Sequence, residues 1–511
     1  MSRHVATLPL TLPPREPGTP AGRWLYDALR AAILEGRLSP GLRLPATRDL
    51  ARQYQLSRGT VVSAFEQLQA EGYVRGKSGS GTYVNDVLPD TLLGIGAGLR
   101  PPRGNRPAGG ASIRLSGVAR RSAPWPSAPP RRIRAFRANQ PALDLVPAAL
   151  WAQVAGRRLR AVTTQLLMGC PALGYGPLRE VIADYLASAR GVRCTARQVC
   201  IVSGVQDALD LTARLLLDPG DRVAMEDPGY SGATLSFRAV GARVVGLPLD
   251  AEGVTLPPRL LRDVRMLYIT PAHQFPLGVT MSLARRLALL AWAHAANAVI
   301  LEDDYDSEFR YSGAPVPALQ GLDQDDRVLF AGSFSKVLFP GLRLGYLVVP
   351  ESLVERIETM LSVSRRHGPV LEQAILADFI ADGHFGRHIR RMREIYAQRL
   401  GVLLEEGRRH LDGLLTISDV EAGLQTVGWL ADGLNAQDVT EAAARRDVQV
   451  VPISEYAVTR PPREGLQLGF AAVDEVELKR GVRELAIAIG KAGRREDGKY
   501  SPQGSGLPRP M

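Results

Sequence analysis

Between Thr91 and Leu143 the chain has no aspartate or glutamate. Arg100, Arg103, Arg106, Arg114, Arg120, Arg121, Arg131, Arg132, Arg134 and Arg137 carry one sign of charge along it, and prolines and glycines interrupt it, as in PPRGNRPAGG and SAPWPSAPPRR. A stretch of this composition has little apolar surface to bury and repels itself, so it builds no core. It therefore cuts the 511-residue chain into two parts that must fold by separate patterns. The reading is a domain over 15–86, a flexible basic linker over 87–132, a large domain over 133–490, and a disordered tail over 491–511.

In the first part, Trp24, Leu25, Ala28, Leu29, Ala32 and Ile33 recur at helical spacing and stop near Gly36. Next, SPGLRLPATRDLARQ holds a short helix with Thr47 as its cap. The turn YQLS ends on Ser57, which caps a second helix, RGTVVSAFEQLQAEG, with Val61, Phe65 and Leu68 facing inward. Two short helices across a tight turn form a helix-turn-helix pattern. YVRGKSGSGTYV then gives two short strands around a Gly-Ser turn, a wing with Lys77 near its tip.

Such a unit reads duplex DNA with the first residues of its second helix. Those are Ser57, Arg58, Gly59 and Thr60, with Arg58 able to pair with a guanine edge. Arg43, Arg48 and Lys77 suit phosphates, which fix position without reading sequence. The net charge of +11 agrees with a nucleic-acid partner but does not prove it, since basic tails also raise it. The linker arginines read as a spacer that also touches phosphates. RLSPGLRLPATRDLARQYQLSRGTVVSAFEQLQAEGYVRGKSGSGTYV resembles the winged helix-turn-helix of GntR-type bacterial regulators. That resemblance implies a dimer on a two-part operator.

From about Ile133, strand-like and helical runs alternate: VCIVS, VQDALDLTARLLL, RVAMED, RMLYIT, AVILEDDYD, VLFAGS. This is an α/β pattern with a mostly parallel sheet. Ligands bind beyond the carboxyl ends of such strands. There lie SGVQ, EDPGY, TPAHQ, EDDYD and GSFSK.

The chain has five lysines, Lys77, Lys336, Lys479, Lys491 and Lys499, and uses arginine elsewhere. The only one between Lys77 and Lys479 sits in GSFSK. An arginine has no nucleophilic amine, so a lysine kept at a strand end suits Schiff-base chemistry. Pyridoxal 5′-phosphate (PLP) needs that amine, a carboxylate at its pyridine nitrogen, a donor at its ring hydroxyl and a phosphate cradle. Lys336, Asp303 and Tyr305 supply the first three. Arg343, Ser333, Ser335 and the N–H groups of Val205 and Gln206 at a helix start supply the fourth. Tyr230 is placed to stack on the ring. Read singly these residues are weaker: DDYD is also an acidic turn or a metal site, and SGVQ a plain helix cap.

Taken together, LLLDPGDRVAMEDPGY, TPAHQFPLG, EDDYDSEFRY and GSFSKVLFPGLRLGYLVVP resemble the fold-type I aminotransferases, and within them the MocR-type regulators, a GntR-type winged helix fused to an aminotransferase-like domain. The resemblance implies a head-to-tail homodimer that binds operator DNA and PLP, and that senses PLP or an amine or amino-acid effector.

The chain departs from the enzymes' pattern at three places. Gln467, in GLQLGF, stands where a carboxylate-binding arginine is expected; Arg460 or Arg463 is the candidate replacement. The tyrosine of a Tyr-Gly pair expected ahead of the LRE segment is missing at the start of MGCPALGYGPLRE; Tyr175 comes later and need not replace it. The asparagine of an NPTG loop is replaced, leaving His273 or Gln274 near the ring hydroxyl. These changes favour sensing over turnover, with an active aminotransferase tethered to DNA as the alternative.

No apolar run is long enough to span a bilayer, and the start of the chain has no secretory pattern. Cys170, Cys194 and Cys200 have no metal-ligand spacing. The expectation is a reduced cytoplasmic protein with no metal and no membrane partner.

Overall fold

The computed structural model describes residues 10–77, 81–87, 113–124, 132–313, 316–459, 461 and 463–497. The chain separates into two units, dividing between Ile113 and Arg114.

In the first unit, α1 (Ala21–Leu34), α2 (Thr47–Gln53) and α3 (Arg58–Ala70) pack around a small core. Leu25, Leu29, Ala32, Leu50, Val61 and Leu68 are sealed from solvent there. Each buried leucine or valine there contributes about 1.5–3 kcal/mol by leaving water. Ser57 caps α3, its Oγ accepting from Thr60 N at 3.0 Å. Thr47 is the first residue of α2 rather than its cap; Ala46 holds the cap position, with no side-chain bond. Strands β1 (Val74–Lys77) and β2 (Gly81–Val84) pair antiparallel as the wing. The turn 78–80 and the side chain of Lys77 lie outside the described residues.

The second unit is built on a seven-stranded sheet of β3 (Val199–Val202), β4 (Arg222–Glu226), β5 (Arg243–Leu247), β6 (Val264–Ile269), β7 (Val299–Asp304), β8 (Val328–Ser333) and β9 (Gly345–Val348). Their spatial order is β3-β9-β8-β7-β6-β4-β5. All neighbours run parallel except β9, which is antiparallel to both β8 and β3. Leu301, Leu329 and Leu347 fill one face, while Ile300 and Val328 fill a second cluster. A sheet covered on both sides needs continuous apolar strands, which is why VCIV and VLFA show no alternation. A second sheet, antiparallel, contains β10 (Leu415–Ile417), β11 (Gln425–Leu430), β12 (Val451–Pro452) and β13 (Gly465–Gly469).

Two expectations about the chain's organisation change. Within the linker expected over 87–132, Gly117–Arg121 form a helix capped by Ser116, and Arg121 Nε donates to Ala239 O at 3.1 Å. A cation there meets the orphan carbonyls ending the helix Ser231–Val240. At the far end, the helix Glu475–Asp497 runs into the expected tail and ends beyond Lys491. Its apolar face, Leu478, Val482, Leu485 and Ile489, is fully buried, and that packing carries the helix onward. Among the described residues, no helix is long and apolar enough to cross a membrane.

Candidate functional site

The five polar clusters do fall at the carboxyl ends of β3, β4, β6, β7 and β8. They surround a cavity of about 260 Å³. Lys336, Asp303, Tyr305, Tyr230, Val205, Gln206, Ser333, Ser335 and Arg343 all line it.

Side-chain alternation along β7 explains which acid of EDD serves the cavity. Asp303 faces it. Glu302 and Asp304 turn away, to the N–H groups of Leu319 and Gln320 (both 2.9 Å) and to Arg190 (2.7 Å). Arg286, fully buried, lies 4.0 Å from Glu302. The two outer acids thus fasten the strand while the middle one is left for a ligand.

Asp303 is 4% exposed. Its Oδ2 accepts from Tyr268 Oη at 2.7 Å, and its Oδ1 has no partner among the described residues. Burial raises its carboxyl to about 7; the Tyr268 bond opposes that, Asp304 and Asp306 add to it, and Lys336 opposes it. A buried acceptor left unpaired costs free energy that an added donor would recover. The protonated ring nitrogen of PLP is such a donor.

Lys336 is half-buried, and its Nζ donates to Asn139 O at 2.6 Å. Desolvation lowers its ammonium to about 8, against Asp306 and Asp303 and with help from Arg137. A lysine near 8 presents a useful fraction of neutral amine at ordinary pH.

The phosphate end is also legible. The helix Val205–Leu216 starts at Gly204, and its first turn leaves the N–H groups of Val205 and Gln206 without intrahelical acceptors. Gly204 sits at φ +112°, where a side chain would be strained. A Cβ on Gly345 would stand 2.7 Å from Gly332 O and 2.9 Å from Gly204 Cα, so glycine lets the backbones close up beneath the cavity. Arg343 holds φ +52°, an uncommon backbone for a non-glycine residue, and forms no ion pair among the described residues. Ser333 Oγ accepts from Ser335 N at 3.1 Å. These donors suit a phosphate dianion.

Some placements differ from expectation. His273 does not line the cavity: it stands behind Tyr305, its Nδ1 3.0 Å from Tyr305 Oη and 3.0 Å from Asp306 Oδ1. It contacts the tyrosine hydroxyl from behind, and Phe275 occupies the cavity wall. Gln274 is committed to Pro228 O (3.0 Å) and Phe275 O (2.6 Å). The Arg463 guanidinium lies over the Trp429 ring at 5.5 Å, and Arg460 lies outside the described residues. Gln467 is sealed in β13; its Oε1 accepts from Tyr456 Oη at 2.7 Å and its Nε2 has no partner among the described residues. Tyr230 meets Phe275 edge-on at 5.8 Å. Burial raises the phenols of Tyr305 and Tyr230, keeping both as neutral donors.

Sequence reasoning missed Asn139, Tyr268, Phe275 and Pro340 on the wall, and gave no individual role to Thr270, which also lines it, within the TPAHQ cluster. Nor did it give one to Glu226 of the EDPGY cluster, which burial raises to about 7 and which accepts from Thr270 Oγ1 at 2.7 Å.

In the first unit, Arg43, Arg48, Ser57, Arg58 and Gly59 are exposed, and Thr60 is half-buried. Ser57 and Thr60 share a hydroxyl contact of 2.8 Å, so both serve the α3 cap. The Arg43 guanidinium lies against Gly81 of the wing. Among the described residues, no group of acids, histidines and cysteines could hold a metal, and the cysteines are free.

Fold and site together define a PLP-binding domain of the aminotransferase kind joined to a winged helix-turn-helix. Residues 135–485 match the aminotransferase class I and II family, and residues 22–84 match the bacterial regulatory proteins of the gntR family. The chain is 39% identical over 475 residues to the probable rhizopine catabolism regulatory protein MocR of Rhizobium meliloti, covering 93% of this chain and 95% of the relative. It is 32% identical over 493 residues to the pyridoxine biosynthesis transcriptional regulator PdxR of Corynebacterium glutamicum, covering 95% and 99%. Among solved structures, a Pyrococcus horikoshii kynurenine aminotransferase overlaps with a TM-score of 0.65 at 28% identity, covering 70% of this chain and 91% of the other. The Thermus thermophilus alpha-aminoadipate aminotransferase, solved with a phosphopyridoxyl-leucine adduct, gives 0.65 at 29%, covering 70% and 92%. The chain belongs to the MocR-type transcriptional regulators: DNA-binding proteins that carry an aminotransferase-like, PLP-binding domain.

Proposed function

We propose that this regulator holds PLP as a Schiff base on Lys336 and uses that site to sense PLP itself or an amine or amino-acid effector. In this reading Asp303 takes the ring nitrogen, and Tyr305, steadied by His273, takes the ring hydroxyl. Tyr230 covers the ring. Arg343, Ser333, Ser335 and the N–H groups of Val205 and Gln206 take the phosphate. When bound, PLP supplies an aldehyde that captures amines and a ring that withdraws electrons. Around it, Asp303 holds the ring charge, while Lys336, poised near 8, gains or loses a proton with little cost.

The single observation carrying the reading is the unpaired, buried Asp303 Oδ1 on one cavity wall with Lys336 and Arg343. On the DNA side, Arg58 and the first turn of α3 would read the operator, with Arg43, Arg48 and Lys77 on phosphates. Two heads on a two-part site imply a homodimer, arranged head-to-tail through the large domains and working in the cytoplasm. An effector changes operator affinity only if it favours one arrangement of the heads.

Gln467 supports sensing over turnover, because a neutral amide cannot form the charged pair that a substrate carboxylate needs. Lys336→Ala tests the reading. Borohydride should fix PLP to the wild-type chain at Lys336 and leave the folded variant unlabelled. Equal labelling of both would refute it. A stoichiometric half-reaction with an added amino acid would instead favour a working aminotransferase.

A further inference from the structure

A second cavity, of about 680 Å³, adjoins the first through Asn139, which lines both. Its wall includes Arg132, Arg134, Arg137 and Tyr456. The three arginines are not equivalent. Arg134 is already paired with Asp447 (3.3 Å) and Glu477 (3.9 Å). Arg137 forms no ion pair or side-chain hydrogen bond among the described residues. It stands two residues before Asn139, whose carbonyl receives the Lys336 ammonium at 2.6 Å. Asn139 holds φ +59° and its N–H is fixed to Gln425 Oε1 at 2.8 Å, so this segment is set relative to the lysine. Tyr456, on the same wall, is committed to Gln467. The position that would carry a cation in the enzymes is therefore neutral and buried, while Arg137, exposed and without an ion pair among the described residues, stands on the wall of the adjoining cavity.

We infer that Arg137 is the anion receptor for the effector: the site selects amines that carry an acidic group, the amine end reaching Lys336 and the acid end seated on the Arg137 guanidinium. The inference rests on the PLP reading above. The guanidinium binds a carboxylate through two parallel N–H bonds, a geometry an amine without the acid cannot use. The field Arg137 exerts on Lys336 and Tyr456 agrees with this placement. The size of the cavity leaves room for a spacer between amine and acid. With PLP held there, the effector's amine would replace the Lys336 amine on the cofactor carbon, one C=N bond forming as the other breaks, and Lys336 would take up the proton the effector gives up.

The test uses the full PLP-loaded chain, titrated with β-alanine and 5-aminopentanoate and with ethylamine and butylamine, which differ from them only by the carboxylate. Visible absorbance of the bound cofactor follows exchange, and thermal unfolding follows binding independently. The wild type should prefer the acids by about tenfold or more, the range of a charged hydrogen-bond pair. Arg137→Ala should remove the preference while borohydride still fixes PLP at Lys336, and Arg137→Lys should restore part of it. No preference in the wild type, or a preference that survives Arg137→Ala, would overturn the assignment, as would its loss in Arg132→Ala alone. Failure of borohydride to fix PLP in the wild type would instead sink the cofactor reading, and this inference with it.

Discussion

Asp303→Asn should move two quantities in opposite directions. Without cofactor, the Asp303 carboxyl is 4% exposed, receives one bond from Tyr268 and leaves Oδ1 bare. Burial raises it from 3.8 to about 7. An acid raised on folding weakens the folded state as pH climbs from its unfolded value to its folded one, and by a constant amount above that. Three pH units at about 1.36 kcal/mol each set an upper bound of about 4 kcal/mol against folding near pH 8. Asparagine is neutral throughout and still accepts from Tyr268. The variant without PLP should therefore gain up to about 4 kcal/mol near pH 8 and much less near pH 5. With PLP the sign reverses: replacing a charged acceptor by an amide should cost about 1.5–3 kcal/mol, or roughly ten- to a hundredfold in affinity. Urea unfolding of the cofactor-free chain at both pH values, with PLP titrated by absorbance, reads both quantities. Equal destabilisation at the two pH values, or unchanged PLP affinity, would refute the placement of Asp303.

Three further outcomes are expected. The rate at which the cofactor-free chain takes up PLP should fall about tenfold per pH unit below about 8, as Lys336 protonates; a midpoint above 10 would show an unburied lysine. Arg58→Ala should weaken operator binding by about 1–3 kcal/mol relative to random DNA, and an equal loss on both would reassign Arg58 to phosphate. Ser57→Ala should cost the first unit about 1 kcal/mol through the lost α3 cap, seen in its thermal transition, with PLP uptake unchanged; loss of PLP uptake would contradict that separation.

Much of the site was legible because strand ends carry their chemistry in local sequence. GSFSK, EDDYD, EDPGY and SGVQ each announce a polar turn after an apolar run. What stayed hidden depends on contacts made across the chain. Asn139 meets Lys336 from 197 residues away, with only a turn-like asparagine to signal it. Tyr268 reads as one more core residue of β6, since its hydroxyl partner is on the neighbouring strand. His273 is near the site in sequence but behind Tyr305 in space, and Phe275 fills the wall. The roles of Glu302 and Asp304 follow from strand alternation only once Arg286 and Arg190 are found opposite. The helix Gly117–Arg121 escaped composition because the contact of Arg121 with Ala239 is made to a segment distant in sequence.

The most direct test of the account is operator binding by the purified full chain, on DNA upstream of its own gene, with PLP stripped and then restored. If the Lys336 site and the operator are linked, affinity or footprint must change with PLP, and operator DNA must change PLP affinity by the same factor. Lys336→Ala should abolish that difference. Specific binding with the same affinity and footprint in both states, and PLP affinity indifferent to operator, would contradict the linkage.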